Sequence, residues 1–194
     1  MNLNGYEIIL ASSSPRRLEY FKKMNISFTV KKIKYEENFD KKLKGHLIPR
    51  YIAKKKSEPF IKKIKKKQLL ITADTIVWHQ KKYLGKPKNK KEAISMLKKL
   101  SNSEHKVITA VGFLTINHWE CIHEITKVKF GKISNNEIIK YTEKDNPFDK
   151  AGGYGIQDWF GLIAVENIKG SYTNVVGLPV YKVFHKIKEI IFKY

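Results

Sequence analysis

A chain that reads "EIILASSSPRRL" at residues 7–18 has to leave an extended strand and enter a helix across three serines. The apolar run ends at Ala11, and Pro15 opens a stretch in which Leu18, Phe21 and Met24 recur at helical spacing. Ser14 suits the helix cap, and Pro15 suits the first turn, where a missing amide is no loss. Such a junction leaves free amides and the positive end of a helix dipole above the strand, an arrangement that binds anions. Arg16 and Arg17 add planar forks that grip phosphate oxygens in pairs, and Ser12 and Ser14 add hydroxyl donors. The same residues would also make an ordinary capped helix with two surface arginines. Local physics leaves both readings open.

The rest of the chain keeps alternating between the two periods. "ISFTV" at 26–30 predicts a strand, and a lysine-rich helix is expected over about 47–66, broken near Pro59. The run "KKIKKK" at 62–67, beside Phe60, Ile61 and Ile64, reads as the wet side of that helix, as do Lys54, Lys55, Lys56 and Glu58. "QLLITADTIVWH" predicts a strand, and 90–100 a helix with Ala93, Ile94, Leu97 and Leu100 inward. "KVITAVGFLTI" and "WECIHEITKVKF" predict two more strands. "SNNE" at 134–137 is a capping-box pattern opening a helix with Ile138, Ile139 and Tyr141. "KAGGYGIQ" and "GLIAVENIKGSY" suggest a further hairpin, and a last helix carries Val180, Phe184, Ile187 and Ile191. Strands and helices mixed throughout predict an α/β or α+β class with a twisted mixed sheet and flanking helices. The 194 residues suffice for one domain or two closely packed lobes, read here as a single domain over 1–194.

Charge raises a question of partners. The net charge is +21, and a basic excess attracts phosphate backbones. Yet lysine, isoleucine and asparagine recur everywhere, and neither zinc-finger spacing nor an RNA-recognition signature is present. The reading is therefore no specific nucleic-acid partner. One cysteine, Cys121, cannot form an internal disulfide, which suits a cytoplasmic location. No apolar run approaches the roughly 20 residues of a membrane span, and "MNLNGYEIIL" does not read as a secretion signal.

Four further places can carry chemistry. Asp74 lies at or near the end of an apolar strand, where a carboxylate needs a partner or a metal. Glu36 and Glu37 are the other carboxylates able to join it, and paired carboxylates with phosphate-gripping cations suit metal-assisted attack on a phosphoryl group. Lys86, between Gly85 and Pro87, is a fixed point charge suited to phosphate. The glycines of "AGGYGIQ" permit close approach of a ligand, and Gln157 offers a donor and an acceptor to a base edge. Each also has a plain structural reading as strand end, surface lysine or turn. The six histidines show no metal-ligand spacing, and Trp78, Trp119 and Trp159 read as core and rim.

Taken in order, "LASSSPRR", "EE" at 36–37, "AKKKS", "ADTIV", "LGKP", "KAGGYGIQ" and "GSYTNVVGLP" resemble the Maf family of nucleoside triphosphate pyrophosphatases. The resemblance covers about residues 8–182. It implies a fold related to the inosine triphosphate pyrophosphatases, with two lobes around a deep cleft. It also implies hydrolysis of a nucleoside triphosphate to a monophosphate and pyrophosphate with a divalent cation, Mg or Mn. Asp74 matches the family's general base or metal-binding aspartate, with Glu37 at the metal; Ser12, Ser14, Arg17, Lys56 and Lys86 match its phosphate-site residues. In the dTTP/UTP branch three specificity positions carry arginine, threonine and glutamine, and here they are Arg16, Thr75 and Gln157. The segment "DWFGLIAVE" after Gln157 departs from the smaller residues of many members. Family analogy implies a homodimer. The rival implications are house-cleaning of modified nucleotides, or a non-enzymatic regulator of septum formation.

Overall fold

The computed structural model describes residues 2–33 and 38–193. Glu36 and Glu37 lie outside the described residues. The described elements are β1 (Glu7–Ala11), α1 (Pro15–Lys23), β2 (Thr29–Val30), α2 (Leu47–Ser57), β3 (Gln68–His79), β4 (Lys82–Leu84) and α3 (Lys90–Leu100). They continue with β5 (Glu104–Leu114), β6 (Trp119–Phe130), α4 (Asn135–Lys144), α5 (Trp159–Ala164), β7 (Val165–Lys169), α6 (Tyr172–Val176) and α7 (Val180–Lys193). One mixed sheet runs β2-β1-β3-β5-β6-β7, with β4 paired to β3. β1 is parallel to both β2 and β3, whereas β3–β4 and β6–β7 are antiparallel. The chain is thus α/β with flanking helices. It divides into two compact units, residues 1–74, 109–124 and 177–194, and residues 75–108 and 125–176.

In the first unit, strand alternation sorts side chains to two faces. Ile8 and Leu10 of β1, with Leu69, Ile71 and Ala73 of β3, pack with Phe21 of α1 and Val183, Ile187 and Ile191 of α7. Ile9, Ala11 and Leu70 point the other way, with Ile64 and Leu114. Fully burying one such side chain contributes about 1.5–3 kcal/mol, so this two-sided core holds β1 and β3 in place. α2 presents Ile48, Ile52 and Ala53 inward, and the Thr72 hydroxyl donates to the Ala53 carbonyl at 2.8 Å.

The second unit has its own aromatic core. Phe130 of β6 lies edge-on to His105 and to Tyr154, with ring centroids 4.8 Å away in both cases, and Tyr141 of α4 stacks on Phe160 at 4.7 Å. The capping box forms as expected: Glu137 N donates to Ser134 Oγ, and Ser134 N donates to Glu137. α3 is capped by Asn89, whose side chain accepts from Glu92 N at 2.9 Å.

Several expectations need correction. The strand at 26–30 shrinks to Thr29–Val30. Residues 62–67 are not helical: Pro59 offers no amide to continue α2, a short 3-10 turn follows, and turns lead into β3 with Lys67 at φ 59°. Ile64 alone of that run is buried. No hairpin joins 151–157 to 161–172. Gly152 and Gly153 have φ near 73° and 74°, which closes a turn, and β7 pairs with β6 instead. Met96 is buried, whereas Ile94, expected inward, is only half-buried.

Candidate functional site

Asp74 is not at a strand end but at the seventh residue of the twelve-residue β3. Its even register puts it on the face of Leu70 and Thr72, against α2. On α2, Lys56 follows Ile48 and Ile52 at four-residue steps, which carries it inward while its neighbours differ. Lys55 pairs with Glu58 at the surface, whereas Lys56, one of a group expected to lie mostly in solvent, is largely buried. Lys56 Nζ lies 2.8 Å from Asp74 Oδ1 and donates to the Ala73 carbonyl at 3.2 Å. Asp74 is 6% exposed, so this cation satisfies a carboxylate that would otherwise be costly to bury.

Arg17 converges on the same peptide. It is 9% exposed; Nη1 donates to the Ala73 carbonyl at 3.0 Å, and Nε donates to the Gly177 carbonyl at 2.9 Å. The cause is in the sheet. The β1–β3 ladder ends at Ala11↔Thr72, so the Ala73 carbonyl lies just past the last rung, where two cations take it. Two of its donors thus brace backbone carbonyls, one of them on the peptide that leads into Asp74. Arg16, its neighbour on α1, is half-buried.

Ser14 occupies the N-cap position of α1, but its side chain makes no capping bond, contrary to expectation. Its amide donates to Ser12 Oγ at 3.2 Å, so the buried Ser12 shapes the turn. The first unit therefore gathers Arg17, Lys56 and Asp74 around one peptide and joins Ser12 to Ser14.

The second unit holds the other candidates. Lys86 and Gln157 are exposed and Thr75 is half-buried. Gly152 N donates to the Gly85 carbonyl at 2.9 Å, tying the Lys86 loop to the glycine turn that leads to Gln157. A side chain on Gly152 would meet Val77 Cγ2 at 2.8 Å, and Thr75 shares the Val77 face of β3. Tyr141, read from the sequence only as a helix residue, tethers the segment that carries Gln157. Its hydroxyl donates to Asp158 Oδ2 at 2.8 Å and accepts from Gly155 N at 3.1 Å. Burial first, and the adjacent Asp158 second, push its phenol well above the ordinary value. Only its helical apolar spacing marked it in the sequence. Burial also pushes the Cys121 thiol up to about 11, which makes it a poor nucleophile.

Among the described residues, no three His, Cys, Asp or Glu side chains form a metal cluster. Among the described residues, Asp74 is the carboxylate that this site offers. A hard divalent cation is commonly held through one or two carboxylates plus substrate phosphates, without a protein cage. The donor chemistry therefore fits a cation shared with a triphosphate.

The family model for Maf-like proteins matches residues 7–190. The chain belongs to the Maf family. A dTTP/UTP pyrophosphatase of Flavobacterium psychrophilum is 52% identical to it over 178 residues, 92% of this chain and 91% of that one. A dTTP/UTP pyrophosphatase of Flavobacterium johnsoniae is 45% identical over 189 residues, 97% of each chain. Among solved structures, a nucleoside-triphosphatase (dITP/XTP pyrophosphatase) of Mycobacterium abscessus covers 97% of both chains at 11% identity, with a TM-score of 0.43.

Proposed function

We propose that this Maf-family protein hydrolyses dTTP and UTP to the monophosphate and pyrophosphate. The observation that carries the reading is the buried Asp74 carboxylate, held by Lys56 on a peptide that Arg17 also grips. Such bracing fixes one acid at a set position before any substrate arrives, as catalysis by preorganised charge requires. Asp74 serves as general base toward the attacking water or as ligand to a divalent cation, with Glu37 as the second carboxylate. When bound, that cation would screen phosphate charge and lower the pKa of a bound water. Ser12 and Ser14 donate to phosphate oxygens, and Lys86 supplies a point charge. Arg17 keeps Asp74 in place, and any remaining guanidinium donors reach the substrate.

Arg16, Thr75 and Gln157 select the base. Uracil and thymine present an N–H between two carbonyls, and a side-chain amide can match part of that edge. We further propose that the protein works in the cytoplasm as a homodimer. The full-length similarity to two proteins named dTTP/UTP pyrophosphatases supports the substrate class.

The test is a panel of dTTP, UTP, CTP and 7-methyl-GTP, with pyrophosphate and orthophosphate measured separately. Stoichiometric pyrophosphate and preference for dTTP and UTP are expected. Orthophosphate with a nucleoside diphosphate would refute the cleavage site, and intact nucleotides would favour the regulator. In the Gln157→Glu variant, hydrolysis of UTP and dTTP should fall more than that of CTP and 7-methyl-GTP. An equal fall for all four would remove Gln157 from base selection.

A further inference from the structure

Gln157 sits at the corner of a four-residue turn. Asp158 N donates to the Gly155 carbonyl at 3.1 Å, which closes Gly155–Ile156–Gln157–Asp158. Ile156 is buried and anchors the turn, leaving Gln157 displayed outward. Both ends then meet on one atom. Gly155 N donates to the Tyr141 hydroxyl, and that hydroxyl donates to Asp158 Oδ2. Lys150 Nζ approaches the same carboxylate oxygen at 3.4 Å.

Two details show that Asp158 is committed to this role. It occupies the N-cap position of α5, where an aspartate usually accepts from its own helix, yet its side chain makes no capping bond. Its carboxylate instead lies over Gly155, where a Cβ would collide with it. Tyr141 is itself immobilised, being fully buried and stacked on Phe160. A rigid phenol on a capped helix therefore sets the separation of the two residues that flank the Ile156–Gln157 corner.

We infer that Tyr141 and Asp158 are specificity-positioning residues, which hold the turn so that the Gln157 amide meets the nucleobase in one orientation. The inference rests on the proposed role of Gln157 in base selection. A side-chain amide discriminates between uracil and cytosine only while its donor and acceptor ends keep their places. A loosened turn lets the amide rotate to suit either base. Contacts to the base are remote from the reacting phosphates, so their loss falls on binding more than on the chemical step.

The test uses Tyr141→Phe, which keeps the ring and its stack but removes the hydroxyl, alongside Asp158→Asn and Asp158→Ala in the full chain. Asparagine keeps an acceptor oxygen for Tyr141, whereas alanine keeps none. Without nucleotide, amide exchange at Gly155, followed by NMR, should quicken about tenfold or more in Tyr141→Phe and Asp158→Ala and stay near wild type in Asp158→Asn. With nucleotide, the UTP-to-CTP ratio of kcat/KM should drop about tenfold in the first two variants, through a higher KM for UTP with kcat within about threefold. Asp158→Asn should keep the ratio. Unchanged Gly155 exchange in Tyr141→Phe would overturn the positioning whatever the substrate. Faster exchange with an unchanged UTP-to-CTP ratio, or an equal loss for every nucleotide, would reduce the network to a structural staple. Equal use of all nucleotides by the wild-type protein would instead overturn the base-selecting role of Gln157, leaving the exchange result as the measure of the turn.

Discussion

Replacing Lys56 by methionine keeps the length of the side chain while removing its charge. The Asp74 carboxylate then stays buried with its 2.8 Å partner gone, and the Ala73 carbonyl loses a donor. Breaking a buried ion pair from one side typically costs about 3–5 kcal/mol. Two features place this pair at the lower end. Arg17 still donates to the Ala73 carbonyl, which leaves a second cation nearby, and the Lys56 side chain is 17% exposed, so some water reaches the pair. The expected loss is about 3 kcal/mol. For a chain of this size, each kcal/mol moves Tm by about 2–4 °C, so Tm should fall by about 6–12 °C. Urea unfolding without nucleotide or metal gives the free energy directly, for Lys56→Met, for Asp74→Leu and for the double variant. The double variant should recover much of the loss of Lys56→Met, because no unpaired charge remains. A coupling energy of about 2 kcal/mol or more is expected. If the two single effects added within about 0.5 kcal/mol, the carboxylate would be effectively solvated and the bracing argument for Asp74 would fail.

Asp74→Asn, nearly isosteric but uncharged, should lower kcat about a hundredfold or more while the protein still unfolds cooperatively; near-normal turnover would move the base elsewhere, with Glu37 the next candidate. Burial, with His79 adding to it, lowers the His105 pKa to about 3, so the folded protein keeps it neutral while the unfolded chain takes up a proton below about pH 6.5. Stability from this group is full above that pH and is lost as pH falls toward 3, by about 2–3 kcal/mol at pH 4.5, and His105→Gln should unfold with a correspondingly shallower acid dependence. Despite the net charge of +21, binding to duplex DNA should weaken steeply with added salt and show no sequence preference; tight selective binding at about 150 mM salt would contradict the enzyme reading.

Much of the fold followed from local pattern. The boundaries of β3 match the run "QLLITADTIVWH" residue for residue, and the capping box at Ser134 formed because its two partners are only three residues apart. Such features depend on neighbours in sequence, so the chain states them directly. The ordered motifs likewise carried the family, because motifs in fixed order need no coordinates to be compared. Patterns failed where composition hides direction. Three consecutive lysines look alike, yet only the turn of α2 against β3 sends Lys56 to Asp74 and leaves Lys55 at the surface. The role of Arg17 was invisible for a related reason. Its acceptors, the carbonyls of Ala73 and Gly177, are backbone atoms that every residue possesses, and they lie 56 and 160 residues away. Tyr141 and Asp158, 17 residues apart, show no shared motif, and their bond exists because α4 and α5 pack together. The sequence by itself determined which elements form and which chemical groups the chain owns. The tertiary structure decided which of those groups are desolvated and paired, because burial and charge pairing depend on surroundings assembled from distant parts of the chain.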